Sequence, residues 1–528
     1  LQRGIVDPKI AARGDFIGDL RKVPCIHEEE HIAADQIFPL IKTEVWYTPT
    51  IKHHCPRTAL ASSLRACSNK VSPDPIIFAD YKKWFKSKFI PKFLKCMDEE
   101  LVSVDLDKWL KRYPQSYRNN MKTAIDNNHQ TTYGKLDLKY EAFTKVEMQF
   151  TTVPHDFKET ELNDTKERQI CGPTNEKKVY ANAFINELEG IASRHFKPYC
   201  GRHNWVQICE SLESMEHNMH ANCIWGASDG SGFDMTQLKE HNELMNELLM
   251  CCAKHKNVHW SEPLTIERFK EAIESSLILN VSVDHGDLKY TAQGRASGDG
   301  WTTFGNTMLM ISYWSYTAYR AGIENFGLKV KGDDVLFVIA LKDKERFMRA
   351  VSEVFTTGKH QHSHGLGQIC KKIDFGDLVD LDFLSNEFFI TSDGHYRMTR
   401  IPARVIQTNS WSTKVPKNRV NLDSRMELCY SKGMCLKAWA DGLPIFGVLA
   451  DKMISLGKRG KLTEFNEYSD GDRVWHKGRN DYQAYLHYLN SKYNISSSEV
   501  KEVEARINAV TELSGILHLP QLEKFYKS

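Results

Sequence analysis

Apolar and polar positions are patterned most sharply in the middle of this chain. Across residues 328–340, Leu328 and Val330 lie before Gly332-Asp333-Asp334, and Val335, Leu336, Phe337, Val338 and Ile339 follow it. This predicts two buried strands joined by a tight turn. Residues 224–228 predict a short strand ending at Asp229, and residues 279–290 a hairpin turning at Asp284-His285-Gly286-Asp287. Helical spacing marks residues 237–255, through Leu244, Leu248 and Met250-Cys251, and residues 301–321 behind a glycine-rich loop. In residues 81–95, Phe85, Phe89 and Phe93 recur every four positions among Lys82, Lys83, Lys86 and Lys88, with Pro91 expected to break or kink the helix. The bland reading of that stripe is an amphipathic helix with a solvated basic face; the functional one is RNA contact through the lysines. The last part of the chain is mostly helical, with Ser496 and Glu499 as a capping box before Val503, Ile507 and Val510. A charged, glycine-punctuated loop is expected over residues 457–480.

Length and composition narrow the class without naming it. A chain of 528 residues favours several folding units or one large multi-lobed enzyme, and 41% hydrophobic residues can fill a sizeable core. The net charge of +2 neither advertises nor excludes a polyanionic partner. Thirteen cysteines, an odd count without a CxxC, fit free thiols in a reducing compartment. No apolar run is long enough to span a bilayer. The chain opens on Leu1, which reads as a piece cut from a longer product. Asn494-Ile495-Ser496 matches a glycosylation sequon that a cytosolic chain would leave unmodified.

The candidate chemistry lies in three clusters inside roughly a hundred residues: Asp229-x4-Asp234, Ser297-Gly298-x3-Thr302-x3-Asn306, and Gly332-Asp333-Asp334. Nucleotidyl transfer uses two Mg2+ ions roughly 3.5–4 Å apart, and Mg2+ takes oxygen ligands from one or two carboxylates plus phosphates. Asp229 at a strand end and Asp333 at a hairpin turn can aim at one point if their strands are neighbours. Gly230 and Gly232 allow close backbone approach to a triphosphate. Thr302 and Asn306 fall on one helix face, and an amide with a hydroxyl suits a ribose 2′-OH, which both donates and accepts. Read blandly, the clusters are a surface loop, a helix start capped by Ser297, and an ordinary hairpin turn.

Together, in this order, the clusters resemble the RNA-dependent RNA polymerases of positive-strand RNA viruses. They look closest to tombusvirus-like and nodavirus-like enzymes, with flavivirus-type enzymes more distant. The resemblance implies an α+β right hand: fingers over residues 1–215 with an insertion near 240–290, a palm with an antiparallel sheet over 216–395, and a thumb over 396–528, closed by fingertips against the thumb. It implies that Asp229, Asp333 and Asp334 bind Mg2+, with Mn2+ as a substitute. Asp234 with Asn306 would select ribose, and Ser297 and Gly298 would form a mobile loop touching template and nucleotide. His364-Gly365-Leu366 with Lys371-Lys372, then residues 381–388, are similar to the family's motifs D and E. One of Lys371 and Lys372 would protonate the leaving pyrophosphate, and Leu384-Ser385-Asn386 would lie in the primer-gripping hairpin. Lys145-x-Glu147 and residues 166–170 resemble the motif whose basic side chains guide the triphosphate, here Lys145 and Arg168 with Lys166 behind them. Residues 113–122 match a template-side motif faintly. Implied partners are template and nascent RNA, ribonucleoside triphosphates and other viral replication proteins, in membrane-associated complexes of the host cytoplasm.

Three readings compete. A reverse transcriptase shares the palm but typically carries an aromatic residue where this chain has Asp234, and another where it has Gly332. His27-Glu28-Glu29-Glu30-His31 spells a zinc-protease motif. A structural Zn2+ from Cys25, His27 or His31 with His53, His54 or Cys55 is a related alternative, and the alternating His360, His362 and His364 are better read as a solvated loop. A non-catalytic RNA-binding scaffold would bind RNA without copying it. Tyr468 and Trp475 are candidates for stacking a first nucleotide.

Overall fold

The computed structural model describes the chain except residues 1–14, 18–33, 44–45, 52–58, 60–61, 64–70, 131–138, 146–147, 154–167, 220–221, 231, 284–288, 358–363, 414–420, 461–480 and 527–528. The zinc-protease motif, Cys25, His53, His54, Cys55, His360, His362, Lys166, Glu147, Tyr468 and Trp475 lie outside the described residues.

Helices and sheets are mixed. A five-stranded sheet runs in the order Gly327–Lys331, Asp334–Ala340, Cys223–Gly230, Ile369–Gly376, Thr356–Thr357. Its neighbours are antiparallel except for the last pair. Alternation along Asp334–Ala340 separates the two largest of the cores among the described residues. Val335, Phe337 and Ile339 face one core with the Thr302–Arg320 and Lys344–Val354 helices, where Trp314 stacks on Phe337 at 5.1 Å. Leu336 and Val338 face the other, with Trp225 and the C-terminal helices. Both faces are covered, so this strand reads as an unbroken apolar run.

A second five-stranded sheet sets Gln169–Pro173 beside Tyr140–Thr144, and that strand beside the antiparallel pair Leu279–Val283 and Lys289–Ala292. The expected hairpin is therefore present, with its turn outside the described residues. Near the N-terminus the chain straps distant parts together. Asp35–Gln36 pairs with Trp411–Ser412, and Leu40–Lys42 runs parallel to Ile516–His518. Trp46–Ile51 then pairs with Met148–Val153.

Three boundaries differ from expectation. The Asp229 strand extends through Gly230. The helix expected over 237–255 runs Lys239–Ala253, and a separate short helix, Phe233–Thr236, precedes it. The break falls at Gln237, whose amide turns inward to donate to Gln368 at 3.0 Å while its oxygen accepts from Tyr313 at 3.1 Å. Pro91 does not end its helix. Pro75–Trp84 runs through a π-turn, Phe85–Phe89, into Ile90–Met97. The wide turn immediately before the proline makes room for a ring that clashes with the carbonyl four residues back in a regular α-helix. The capping box at Ser496 and Glu499 forms as the sequence suggests.

Candidate active site

Cross-strand register brings the acidic clusters together. Asp334 is paired directly with Asp229 in the antiparallel ladder, a relation that places Cβ atoms about 4.5–5.5 Å apart on one face. Asp333 occupies the two-residue turn beside them. A Cβ built on Gly230 would lie 3.3 Å from the Cβ of Asp333, so the turn folds back over the residue after Asp229. Gly332, the first turn residue, has φ +64°; that backbone favours glycine and is what a tight hairpin of this kind asks for at its first position.

The neighbouring negative charges leave a mark. The Asp334 carboxyl is pushed up to about 7 by burial first, then by Asp333, Asp229 and Asp382, with Arg404 opposing. Asp382 carries no sequence signal of its own. It arrives through the adjacent sheet of Asp382–Phe383, Asn386–Ile390 and Tyr396–Arg400, whose first turn holds Leu384 and Ser385 at φ +56° and +60°. Among the described residues, no three histidine, cysteine or acidic side chains close tightly enough to chelate an ion. The donor set is nonetheless all carboxylate oxygen, and its mutual repulsion is what a hard divalent cation relieves.

Lys371 and Lys372 enter opposite Asp229. Cys370 pairs with Gly230 and Ile373 with Ser228, so a β-bulge sets two lysines against one aspartate. The Lys372 ammonium is 2.6 Å from Asp374. The side chain of Lys371 is outside the described residues.

The third cluster divides its duties. Asn306 Nδ2 donates to Asp234 Oδ1 at 2.5 Å, while Asn306 Oδ1 is buried without a partner among the described residues. Burial pushes the Asp234 carboxyl up, against Asn306, Arg295 and Arg168. Thr302 does not join Asn306: its hydroxyl donates to the carbonyl of Ala296 at 2.5 Å. Nor does Ser297 cap the helix, whose N-cap is Trp301. Ser297 Oγ accepts from Cys171 N at 3.1 Å and donates to the Gln169 carbonyl at 3.2 Å. Gly298 N donates to the Cys171 carbonyl at 2.8 Å, and a Cβ on Gly298 would sit 2.8 Å from that same oxygen, so only glycine fits. The loop is thus stapled to the strand that follows Arg168. Lys145 N in turn donates to the Arg168 carbonyl at 2.7 Å, which joins the two basic residues through their backbones.

Sequence reasoning passed over the support beneath this loop. Asp299 lies 3.5 Å from the Lys177 ammonium and accepts from the Tyr140 hydroxyl at 3.0 Å. Arg295 donates to Asn242 at 2.7 Å and covers the Trp301 ring at 4.4 Å. Burial brings Lys177 down to about 8 and Arg295 down to about 10, and pushes Asp299 up. The one signal was Arg295 and Asp299 placed symmetrically about Ser297, charges that an ordinary glycine loop does not need. Thr307 was also missed. Its hydroxyl accepts from Gly332 N at 2.8 Å and donates to the Thr303 carbonyl at 2.6 Å, which ties the Asp333 turn to the helix that carries Asn306.

Residues 279–521 match a family model described as viral RNA dependent RNA polymerase. The matched span takes in Ser297, Asn306, Asp333 and Asp334 and begins after Asp229 and Asp234. No curated protein matches the chain.

Proposed function

We propose that this chain, an RNA-directed RNA polymerase, extends RNA by attack of a 3′-hydroxyl on the α-phosphate of a template-paired ribonucleoside triphosphate, with release of pyrophosphate. The reading is carried by one observation: Asp229 and Asp334 are register partners at a strand end, with Asp333 on the adjoining turn. Asp229, Asp333 and Asp334 would hold Mg2+, which when bound neutralises triphosphate charge and lowers the pKa of the attacking hydroxyl.

The chain's own groups divide the remaining work. Asp234 and Asn306 face the sugar, and the unpartnered Asn306 Oδ1 offers an acceptor for a 2′-hydroxyl. Ser297 and Gly298 position template and nucleotide. Lys145 and Arg168 draw in the triphosphate. Lys371 or Lys372, opposite Asp229, gives a proton to the departing pyrophosphate. In the right-hand layout, residues 1–215 and an insertion near 240–290 are fingers, 216–395 palm and 396–528 thumb. The pairing of Leu40–Lys42 with Ile516–His518 supports closure of fingers on thumb. The motifs favour a tombusvirus-like or nodavirus-like lineage, working with other viral replication proteins in membrane-associated complexes of the host cytoplasm. Among the described residues no helix is long and apolar enough to cross a membrane.

Incorporation on an RNA template with Mg2+, wild type against Asp333→Asn, tests the reading. The expected result is a loss of more than about 10³-fold, since the electrostatic contribution of such groups is several kcal/mol. A variant that copies as well as wild type would remove Asp333 from the chemistry, and two proteins that bind RNA equally and copy nothing would instead favour a scaffold.

A further inference from the structure

The helix over residues 75–97 is the element its sequence singles out and the copying chemistry leaves unused. Tyr81, Phe85, Phe89, Phe93 and Met97 recur every four residues and all are buried. In an α-helix a four-residue step overshoots one turn by roughly 40°, so such a stripe would wind away from the core. The π-turn at Phe85–Phe89 takes up that drift and keeps the stripe on one side. The polar positions keep phase for the same reason. Lys82, Lys83, Lys86, Lys88, Lys92 and Lys95 are all exposed, along about 20 Å of helix at 1.5 Å per residue.

This face carries uncompensated charge. Among the described residues only Lys86 has a carboxylate partner, Glu247 at 2.5 Å. Of the acids near the helix ends, Asp74 caps the helix, Asp80 is engaged by Tyr316 at 2.6 Å and Arg320 at 3.5 Å, Asp98 by Lys256 at 3.1 Å and Glu100 by Arg194 at 2.6 Å, while Glu99 is exposed beyond the last lysine. The lysines lie on the side of the helix away from its packed stripe. Tyr81 bonds Ser312 at 2.6 Å, Trp84 lies against Tyr319 and Phe93 against Phe304, so the helix backs along the length of the Thr302–Arg320 helix and leaves its lysines exposed.

We propose that this lysine face is a second binding track for the phosphate backbone of single-stranded RNA, outside the catalytic centre and indifferent to sequence. The proposal rests on the polymerase reading only for which polyanion is at hand. Charge complementarity names a polyanion, and the buried stripe selects among polyanions. A helix that lies in a bilayer interface needs a free apolar face to insert; here that face is spent on the core, and only Ser87 and Pro91 are exposed between the lysines.

The test is the salt dependence of full-length protein binding to an unstructured RNA of about thirty nucleotides, by fluorescence anisotropy. Compared are wild type, the combined Lys82→Ala, Lys83→Ala, Lys88→Ala, Lys92→Ala and Lys95→Ala variant, and the same five changed to Arg. Each phosphate contact removed lowers the log–log salt slope by about 0.7, so the alanine variant is expected to lose up to about 3.5 and the arginine variant almost nothing. Single-nucleotide addition on a short primed template should stay within about twofold for both, because no group of the catalytic centre is touched. An unchanged slope overturns the proposal. So does a parallel loss of addition, or loss of anionic-vesicle binding with the RNA slope intact. Asp333→Asn is run beside them: it is expected to keep the wild-type slope, so a failure of the polymerase reading appears in addition alone.

Discussion

Two groups of acids, linked through one helix, obey opposite rules in this molecule. Asp229, Asp333 and Asp334 gather at a partly open strand end, where burial and the charges of Asp333 and Asp229 raise Asp334 to about 7. Asp299 and Asp234 lie deeper, where burial also raises them, but Lys177, Arg295 and Asn306 stand against the rise. Two cations and two anions balance in the deeper group. In the outer group like charges accumulate around Asp334, with Arg404 opposing. Burial with matched counter-charges makes a scaffold; an accumulation of carboxylates suits a cation. Thr307 and Asn306, adjacent on one helix, reach the two groups separately, the first to the Gly332 turn and the second to Asp234.

Removing a charge from each group breaks this contrast most directly. Asp299→Asn leaves Lys177 and Arg295 buried with one counter-charge fewer, and stability should fall by about 3–5 kcal/mol, read by denaturant unfolding. Asp333→Asn, which removes a repelling charge, should be as stable as wild type in the same measurement. If both variants unfold alike, the distinction between the groups is wrong.

The link between them comes next. Thr307→Val keeps the shape but strips the acceptor from Gly332 N–H, at about 1–3 kcal/mol. The turnover number should drop by roughly ten- to a hundredfold at similar KM for nucleotide, and Thr307→Ser should restore it. A change confined to KM would mean that Thr307 acts on binding and not on the turn.

The smallest effect is in pH. The Asp334 carboxyl stands above its ordinary value of about 4, so in metal-free protein its share of stability is complete below that value. It is lost as pH rises through about 7. Mg2+ should therefore raise the melting temperature more at pH 8 than at pH 5.5, and Asp334→Asn should flatten that difference. An equal Mg2+ shift at both pH values would place the ion elsewhere.

Particular elements show how far the sequence could be read. The apolar runs around Gly332 were legible because burial on both faces demands apolar side chains at every position. The Ser496 capping box is local, so its pattern was its structure. Pro91 misled because a proline's cost depends on the turn before it, and a π-turn is set by how a four-residue stripe meets the core. Thr302 looked like a partner of Asn306 on helical spacing, yet the loop ahead of the helix turned its hydroxyl onto Ala296.

The order of the acidic and glycine clusters, the strand around Asp333 and the stripe of Phe85, Phe89 and Phe93 were determined by the chain alone, since periodicity and local turn chemistry act over a few residues. Tertiary structure decided which aspartates face each other, that two lysines would share one bulge opposite Asp229, and that Lys177 and Tyr140 would support a loop more than a hundred residues away. Strand register and charge compensation are properties of surfaces brought together by folding, and no window of neighbouring residues contains them.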